Sequence, residues 1–290
     1  MNHPSSPIEP LQWPDSAARQ LTVDVMRLDK LHPIVSGNKW FKLKEHLALA
    51  NPNKPIITFG GPWSNHLVAT AYAAKQHGLT AIGFIRGEEP AHTSATLQEA
   101  AGYGMQLEFI SRQRYRQKED PEFIQELSVR FPGAYIIPEG GGGLPGITGS
   151  EAILRTANTT AYTHIGCAIG TGTTFLGLWR ASTPQQTIVG IPVLKGFDAA
   201  PLSHPRTLFL PQYHFGGYAR HPQTLLDFMN GFYRDTGVPT DIVYTGKLFF
   251  AILQSIRQEL FPTHSRLLII HSGGLQGNRS LPPGALTFGK

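Results

Sequence analysis

The sequence predicts an α/β protein built on parallel sheets. Two observations carry the prediction. Short apolar runs recur along the chain, and the stretches between them space their apolar residues as helices do, closed off by glycine or proline. Strands that alternate with helices in this way are joined by crossovers, which makes them parallel.

The elements follow in order. Residues 1–20 are rich in proline and serine and read as an irregular arm. Residues 21–26 alternate like a strand and 43–50 are spaced like a helix, with Ser36-Gly37-Asn38-Lys39-Trp40-Phe41-Lys42-Leu43 at the junction. Residues 55–59 read as a buried strand and Gly60-Gly61-Pro62-Trp63 as a turn. Ser64 is a candidate N-cap for a helix through Val68, Ala71 and Ala74 that ends before Gly78. A strand at 81–86, a helix at 94–101 closed by Gly102, and a strand at 106–110 come next. A proline opens the helix at 121–130, and 134–137 is a strand.

The alternation stops at Glu139-Gly140-Gly141-Gly142-Gly143-Leu144-Pro145-Gly146. Four consecutive glycines read first as a crossover between domains, although such loops also let a backbone approach a ligand closely. Beyond it, 147–156 is helical, 164–169 a strand, Gly170-Thr171-Gly172-Thr173-Thr174 a tight turn and 175–180 a helix. Strands at 187–193 and 208–215 precede helices at 224–234 and 247–258, the second strongly amphipathic. A strand at 267–270 runs into His271-Ser272-Gly273-Gly274.

The bulk numbers exclude several classes. With 290 residues, 41% hydrophobic and 16% charged, the chain buries a sizeable core and is not disordered. The net charge of +5 is mild and dispersed, as suited to a small anion as to a nucleic acid. The densest basic run, Arg112-Gln113-Arg114-Tyr115-Arg116-Gln117-Lys118, carries one aromatic and reads as a solvated loop, so no nucleic-acid partner is expected. The single cysteine, Cys167, rules out a disulfide framework and reads as core. No apolar run approaches a membrane span, and residues 1–14 lack a charged-then-apolar signal, so a cytoplasmic location is expected.

Five stretches bear chemistry. Lys39 and Lys42 are one helical turn apart, so one can form an imine while the other neutralises an anion; taken alone, they read as a solvated pair. Gly170 to Thr174 suits a phosphate: small residues let backbone N–H groups converge, hydroxyls add donors, and a helix N-terminus adds positive potential. It lacks a Walker lysine and the dinucleotide spacing, so a nucleotide is not the first ligand to propose. Ser64, Asn65 and His66 open a helix, either as plain first-turn residues or as a polar tip facing a ligand. Tyr244 and Thr245 in Asp241-Ile242-Val243-Tyr244-Thr245-Gly246-Lys247 are by themselves a plain capping arrangement, and His271-Ser272-Gly273-Gly274 closes a strand as a turn.

Taken together, in this order and context, these stretches resemble the fold-type II pyridoxal-phosphate enzymes, in the branch that holds 1-aminocyclopropane-1-carboxylate deaminase and D-cysteine desulfhydrase. The resemblance spans about residues 21–280, and Gly37-Asn38-Lys39-Trp40-Phe41-Lys42-Leu43 is its specific part. It implies a tryptophan synthase β-subunit-like architecture of two parallel-sheet domains with pyridoxal 5'-phosphate in the cleft between them. Residues 44–150 would form the smaller domain, and 1–43 with 151–290 the larger.

Position by position, the resemblance implies that Lys39 is the Schiff-base lysine and Lys42 a phosphate contact. Asn65 would bond the ring hydroxyl, and Thr171, Gly172, Thr173 and Thr174 would hold the phosphate. Ser64 would meet the substrate carboxylate or move a proton, Tyr218 and Tyr244 would flank the substrate, and Thr245 would face the pyridine nitrogen. No metal is implied, and a homodimer is the family expectation. The family's deaminases carry glutamate where Thr245 stands and its desulfhydrases threonine. A carboxylate keeps the ring nitrogen protonated and the ring a strong electron sink; a hydroxyl gives a weaker one, which suits loss of a good leaving group.

Two departures bear on the substrate: Phe41 replaces the family's usual arginine, and Leu67-Val68-Ala69 lacks the arginine common in close desulfhydrases. The expected activity is β-elimination from a small amino acid, D-cysteine above all, to pyruvate, ammonia and sulfide. The alternatives are 1-aminocyclopropane-1-carboxylate deamination and non-catalytic binding of the cofactor.

Overall fold

The computed structural model describes residues 5–289, which form two compact units. One comprises the chain up to Asn38 and from Ser150 onward; the other is Lys39–Gly149.

The larger unit begins with β1 (Ile8–Pro10), a short α1 (Pro14–Ala18) and β2 (Thr22–Arg27). The first two correct the expected irregular arm: β1 pairs antiparallel with β2, and Ser16 and Leu11 are buried. Proline opens α1, where its missing N–H costs nothing.

The helix α2 (Asn38–Leu49) begins five residues before the expected 43, so Lys39 and Lys42 lie in its first turns. Trp40 and Phe41 are weak helix formers, but Phe41, Lys42, Leu43 and His46 are buried and packing overrides propensity. Gly37 makes the sharp entry: its φ is +67°, and a Cβ there would lie 1.8 Å from the Ser272 carbonyl oxygen. The Asn38 amide then donates to that oxygen at 3.2 Å.

The smaller unit continues as β3 (Ile56–Gly60), α3 (Asn65–Gln76), β4 (Ala81–Arg86), α4 (Ala95–Gly102), β5 (Gln106–Ile110), α5 (Arg112–Arg116), α6 (Pro121–Arg130), β6 (Tyr135–Ile137) and α7 (Gly143–Glu151). Its four strands are all parallel, in the order β5-β4-β3-β6. The basic run is a helix and not a loop: Ser111 caps it, Tyr115 is buried, and the Arg114 guanidinium lies 4.2 Å from the centre of the Phe123 ring. The glycine run does not cross between units. It turns inside the smaller unit, with Gly140, Gly141 and Gly143 at positive φ, and leads into α7 before a 3-10 turn at Ala152–Thr156.

The larger unit resumes with β7 (His164–Ile169), α8 (Thr173–Ala181), β8 (Thr187–Pro192), β9 (Thr207–Phe209), α9 (Gln223–Thr236), α10 (Thr245–Arg257) and β10 (Arg266–His271). The expected strand at 208–215 stops at Phe209, because Pro211 opens a 3-10 turn. The sheet order is β1-β2-β10-β7-β8-β9, parallel throughout except for β1. The chain steps outward from β7 through β8 to β9, then returns on the other side of β7 as β10. Such a reversal opens a crevice at the carboxyl ends of the strands, where open α/β sheets bind ligands. Leu248, Phe249 and Ile252 of α10 pack with Ile191 and Ile269 of the sheet to form the core beneath it. Among the described residues no helix is long and apolar enough to cross a membrane.

Candidate active site

In the larger unit the turn after β7 is shaped for an anion. Gly172 enters α8 at φ +82°, and a Cβ there would meet the Leu202 side chain at 2.9 Å. Thr173 and Thr174 are buried in the first turn, where amide groups have no helical acceptor and no acidic residue stands. The hydroxyls of Thr171 and Thr173 are 3.0 Å apart. Asn38 Nδ2 donates to Thr174 Oγ1 at 2.8 Å, which leaves that hydroxyl its own proton to give. A donor set of amides and hydroxyls at a helix N-terminus fits a phosphate.

The N-terminus of α10 stands beside this turn. A Cβ on Gly170 would come within 3.1 Å of Tyr244, so that ring covers the start of the turn. Asp241, fully buried, organises the helix start: one carboxylate oxygen accepts from the amides of Val243 (2.8 Å) and Tyr244 (2.9 Å). The other accepts from the Thr245 amide (2.8 Å) and from the Thr245 hydroxyl (2.7 Å). Thr245 Oγ1 also accepts from the Asp241 amide at 2.7 Å. The hydroxyl proton of Thr245 is thus committed to a carboxylate, and the group stays neutral. Tyr218 stands against Tyr244, ring centres 6.3 Å apart and nearly perpendicular.

The smaller unit carries the two lysines. Lys42, only 3% exposed, donates from Nζ to the Gly140 carbonyl at 3.3 Å. His46 Nε2 donates to the Gly142 carbonyl at 2.9 Å, and its Nδ1 accepts from Tyr135 at 3.0 Å. The glycine run therefore wraps α2, and Gly149 lies so close that a Cβ would sit 2.3 Å from the Phe41 carbonyl oxygen. His66 Nε2 donates to Thr58 Oγ1 at 2.7 Å, since that hydroxyl itself donates to the Ile137 carbonyl. Burial, then the positive charges of Lys39 and Lys42, hold His66 well below the usual histidine range; its ring is neutral. Burial pushes His46 down as well.

Ser64 occupies the N-cap position of α3 with extended backbone, but its hydroxyl does not cap the helix, and Asn65 is the first helical residue. Both departures from the family pattern lie in the interior: Phe41, Leu67, Val68 and Ala69 are buried, so they alter packing within the unit. The larger unit thus gathers Thr171 to Thr174, Tyr218, Tyr244 and Thr245. Lys39 and Lys42 are on α2, and Ser64 and Asn65 open α3, all within the smaller unit. The sequence reading gave no role to Asp241, Lys247, His46 or Asn38. An aspartate four residues ahead of a helix-opening threonine is the signal that marks Asp241.

No family model matches the chain. A protein of Pyrococcus abyssi provisionally named as a 1-aminocyclopropane-1-carboxylate deaminase is 28% identical, over 92% of this chain and 89% of its own. One from Thermotoga maritima with the same provisional name is 27% identical, over 87% and 88%. The solved structure of an ACC deaminase homologue superposes with a TM-score of 0.78 at 26% identity, covering 94% of this chain and 90% of its own. O-ureido-L-serine synthase shares the fold, with a TM-score of 0.69 at 15% identity over 97% and 95%. The chain has the fold of the fold-type II pyridoxal-phosphate enzymes and is similar over most of its length to proteins provisionally named as 1-aminocyclopropane-1-carboxylate deaminases.

Proposed function

We propose that the chain is a pyridoxal-phosphate-dependent enzyme that removes a β-substituent from a small amino acid, with D-cysteine as substrate. D-cysteine and water then give pyruvate, ammonia and hydrogen sulfide. The observation that carries this reading is the neutral hydroxyl of Thr245, held by Asp241 beside the anion-binding turn.

When bound, pyridoxal phosphate supplies an aldehyde that condenses with amines and a ring that accepts electron density from Cα. In this reading the amides and hydroxyls of Thr171 to Thr174 hold the phosphate, and Lys42 adds a positive charge. Asn65 takes the ring hydroxyl. Lys39 Nζ would hold the group at its aldehyde carbon and, with substrate bound, would take the Cα proton. Ser64 binds the substrate carboxylate, and Tyr218 and Tyr244 flank the substrate and limit its size. Because Thr245 gives its proton to Asp241, it places no formal charge at the ring nitrogen. The ring is then a weaker electron acceptor than one opposed by a carboxylate. That suits a departing thiolate, which carries the negative charge away.

Opening of the cyclopropane acid to 2-oxobutanoate and ammonia is the second reading, favoured by the provisional names of the relatives. Absorbance of the protein reconstituted with pyridoxal phosphate, beside a Lys39→Ala variant, tests the shared part. The expected result is a visible band that the variant lacks; no band in the parent protein defeats both readings. Sulfide and pyruvate from D-cysteine support the first, and 2-oxobutanoate from the cyclopropane acid supports the second. A lysine-dependent band with turnover of neither indicates a cofactor-binding protein.

A further inference from the structure

Residues 214–219, between β9 and α9, adopt a conformation that the loop does not favour by itself. Phe215 (φ +53°), Gly216 (+88°), Gly217 (+117°) and Ala219 (+55°) all lie in the left-handed region. For the two residues that carry a Cβ, this costs about 1–2 kcal/mol each, so something outside the loop has to hold it.

The hold comes from α10. Lys247 Nζ donates to the Gly217 carbonyl at 2.6 Å and to the His214 carbonyl at 3.0 Å. One turn further along the helix, Phe250 meets the Phe215 ring edge-on at 4.9 Å. Lys247 is 0% exposed, among the largest fully buried side chains, and its partners are carbonyls. Burying an ammonium on carbonyls alone is expensive, and a methionine would fill the same space without that cost. What methionine cannot do is tie two converging carbonyls to a helix. Burial pushes the lysine down to about 8, with Asp241 opposing the shift.

Tyr218 is the outward-facing product of this arrangement. It is 45% exposed, and it stands against Tyr244, the ring that covers the start of the anion-binding turn. We propose that Lys247 is a positioning residue for substrate: it ties the 214–219 loop to α10 so that Tyr218 is held against Tyr244, and thereby sets substrate affinity without touching the cofactor. The substrate part of this rests on the pyridoxal-phosphate reading above; the loop part does not.

The variant Lys247→Met is expected to fold, because each carbonyl keeps a second donor: the Gly217 amide for His214 and the Arg220 amide for Gly217. The test uses the full chain reconstituted with pyridoxal phosphate, and Lys247→Gln, which keeps a neutral donor, provides a second variant. Without substrate, hydrogen exchange at the amides of 215–219 is expected to quicken about 10-fold or more in Lys247→Met, less in Lys247→Gln, with amides late in α10 unchanged. Cofactor affinity, read from the absorbance titration, is expected to stay within about 3-fold, while KM for the turned-over amino acid rises about 10-fold with kcat little changed.

Unchanged exchange in the loop overturns the proposal whatever the substrate is. Cofactor affinity that falls in parallel with substrate affinity also overturns it, since Lys247 would then be supporting the whole site. If neither amino acid is turned over, the functional reading has failed, and the exchange rates still decide whether Lys247 holds the loop.

Discussion

Replacing Asp241 should disable the anion-binding corner of the larger unit while sparing its core. The buried carboxylate accepts three amides and one hydroxyl at 2.7–2.9 Å. In Asp241→Ala the amides of Val243, Tyr244 and Thr245 lose that acceptor inside the protein. At about 1–1.5 kcal/mol for each buried donor left unmade, the loss is about 4 kcal/mol. For a unit of this size that is a fall in Tm of about 10 °C. Asp241→Asn keeps the shape and one carbonyl oxygen and should lose about half as much. Urea denaturation followed by circular dichroism gives the midpoint and slope for the parent and both variants, and a cofactor titration reports on the site. A loss below about 1 kcal/mol in Asp241→Ala would refute the capping argument, because no other group on α10 takes those amides.

Three further outcomes follow from the same geometry. Lys247 has a folded pKa of about 8, below its ordinary 10.5, so the unfolded chain binds more protons between those values and stability rises with pH across that window. Relative to Lys247→Met, the parent should gain up to about 3 kcal/mol from pH 8 to 10.5, and a flat difference between the two denaturation series would contradict the buried charge. His66, held neutral by burial, contributes stability that is fully present above pH 6.5 and lost as pH falls through its lower folded value. His66→Gln should therefore flatten the fall in unfolding midpoint between pH 6.5 and 5. Gly149→Ala, whose Cβ would strike the Phe41 carbonyl, should lose about 3 kcal/mol or more. Gly102→Ala, with open space and an ordinary helical φ, should gain about 0.5–1 kcal/mol, and similar melting temperatures for the two variants would contradict the close approach at Gly149.

The alternation of strands and helices was legible where local pattern and tertiary burial agree. The strands β4, β5 and β7 and the helix α6 lie between the residues that their apolar runs and flanking turns mark. Reading failed where a distant partner decides. The start of α2 depends on Ser272, more than two hundred positions away, which only Gly37 can approach. The glycine run resembles a linker because its partners, Lys42 and His46, are on a helix far upstream. The basic run reads as a loop because charge hides its amphipathicity: Arg114 lies on Phe123, and Tyr115 fills the core. In the candidate site, the glycines and hydroxyls after β7 are a local signal, and the spacing alone puts them at a helix start. Lys247 gave no such signal, since a buried lysine is identified only by the loop it holds.

The position of β10 has a consequence for the order in which the molecule can be assembled. It is the last strand in the chain, yet it lies in the middle of the larger sheet, with β2 and β7 on either side. While the chain emerges from a ribosome, residues 39–149 can collapse onto their own contiguous sheet early, whereas the larger sheet has a gap until residue 271 is out. The next residue, Ser272, supplies the carbonyl on which Gly37 and Asn38 rest. The entry to the helix that carries Lys39 is thus among the last features to form. A nascent or truncated chain lacking its final strand would hold a folded smaller unit whose first helix enters without its anchor, exposing sheet edges that invite pairing with other chains.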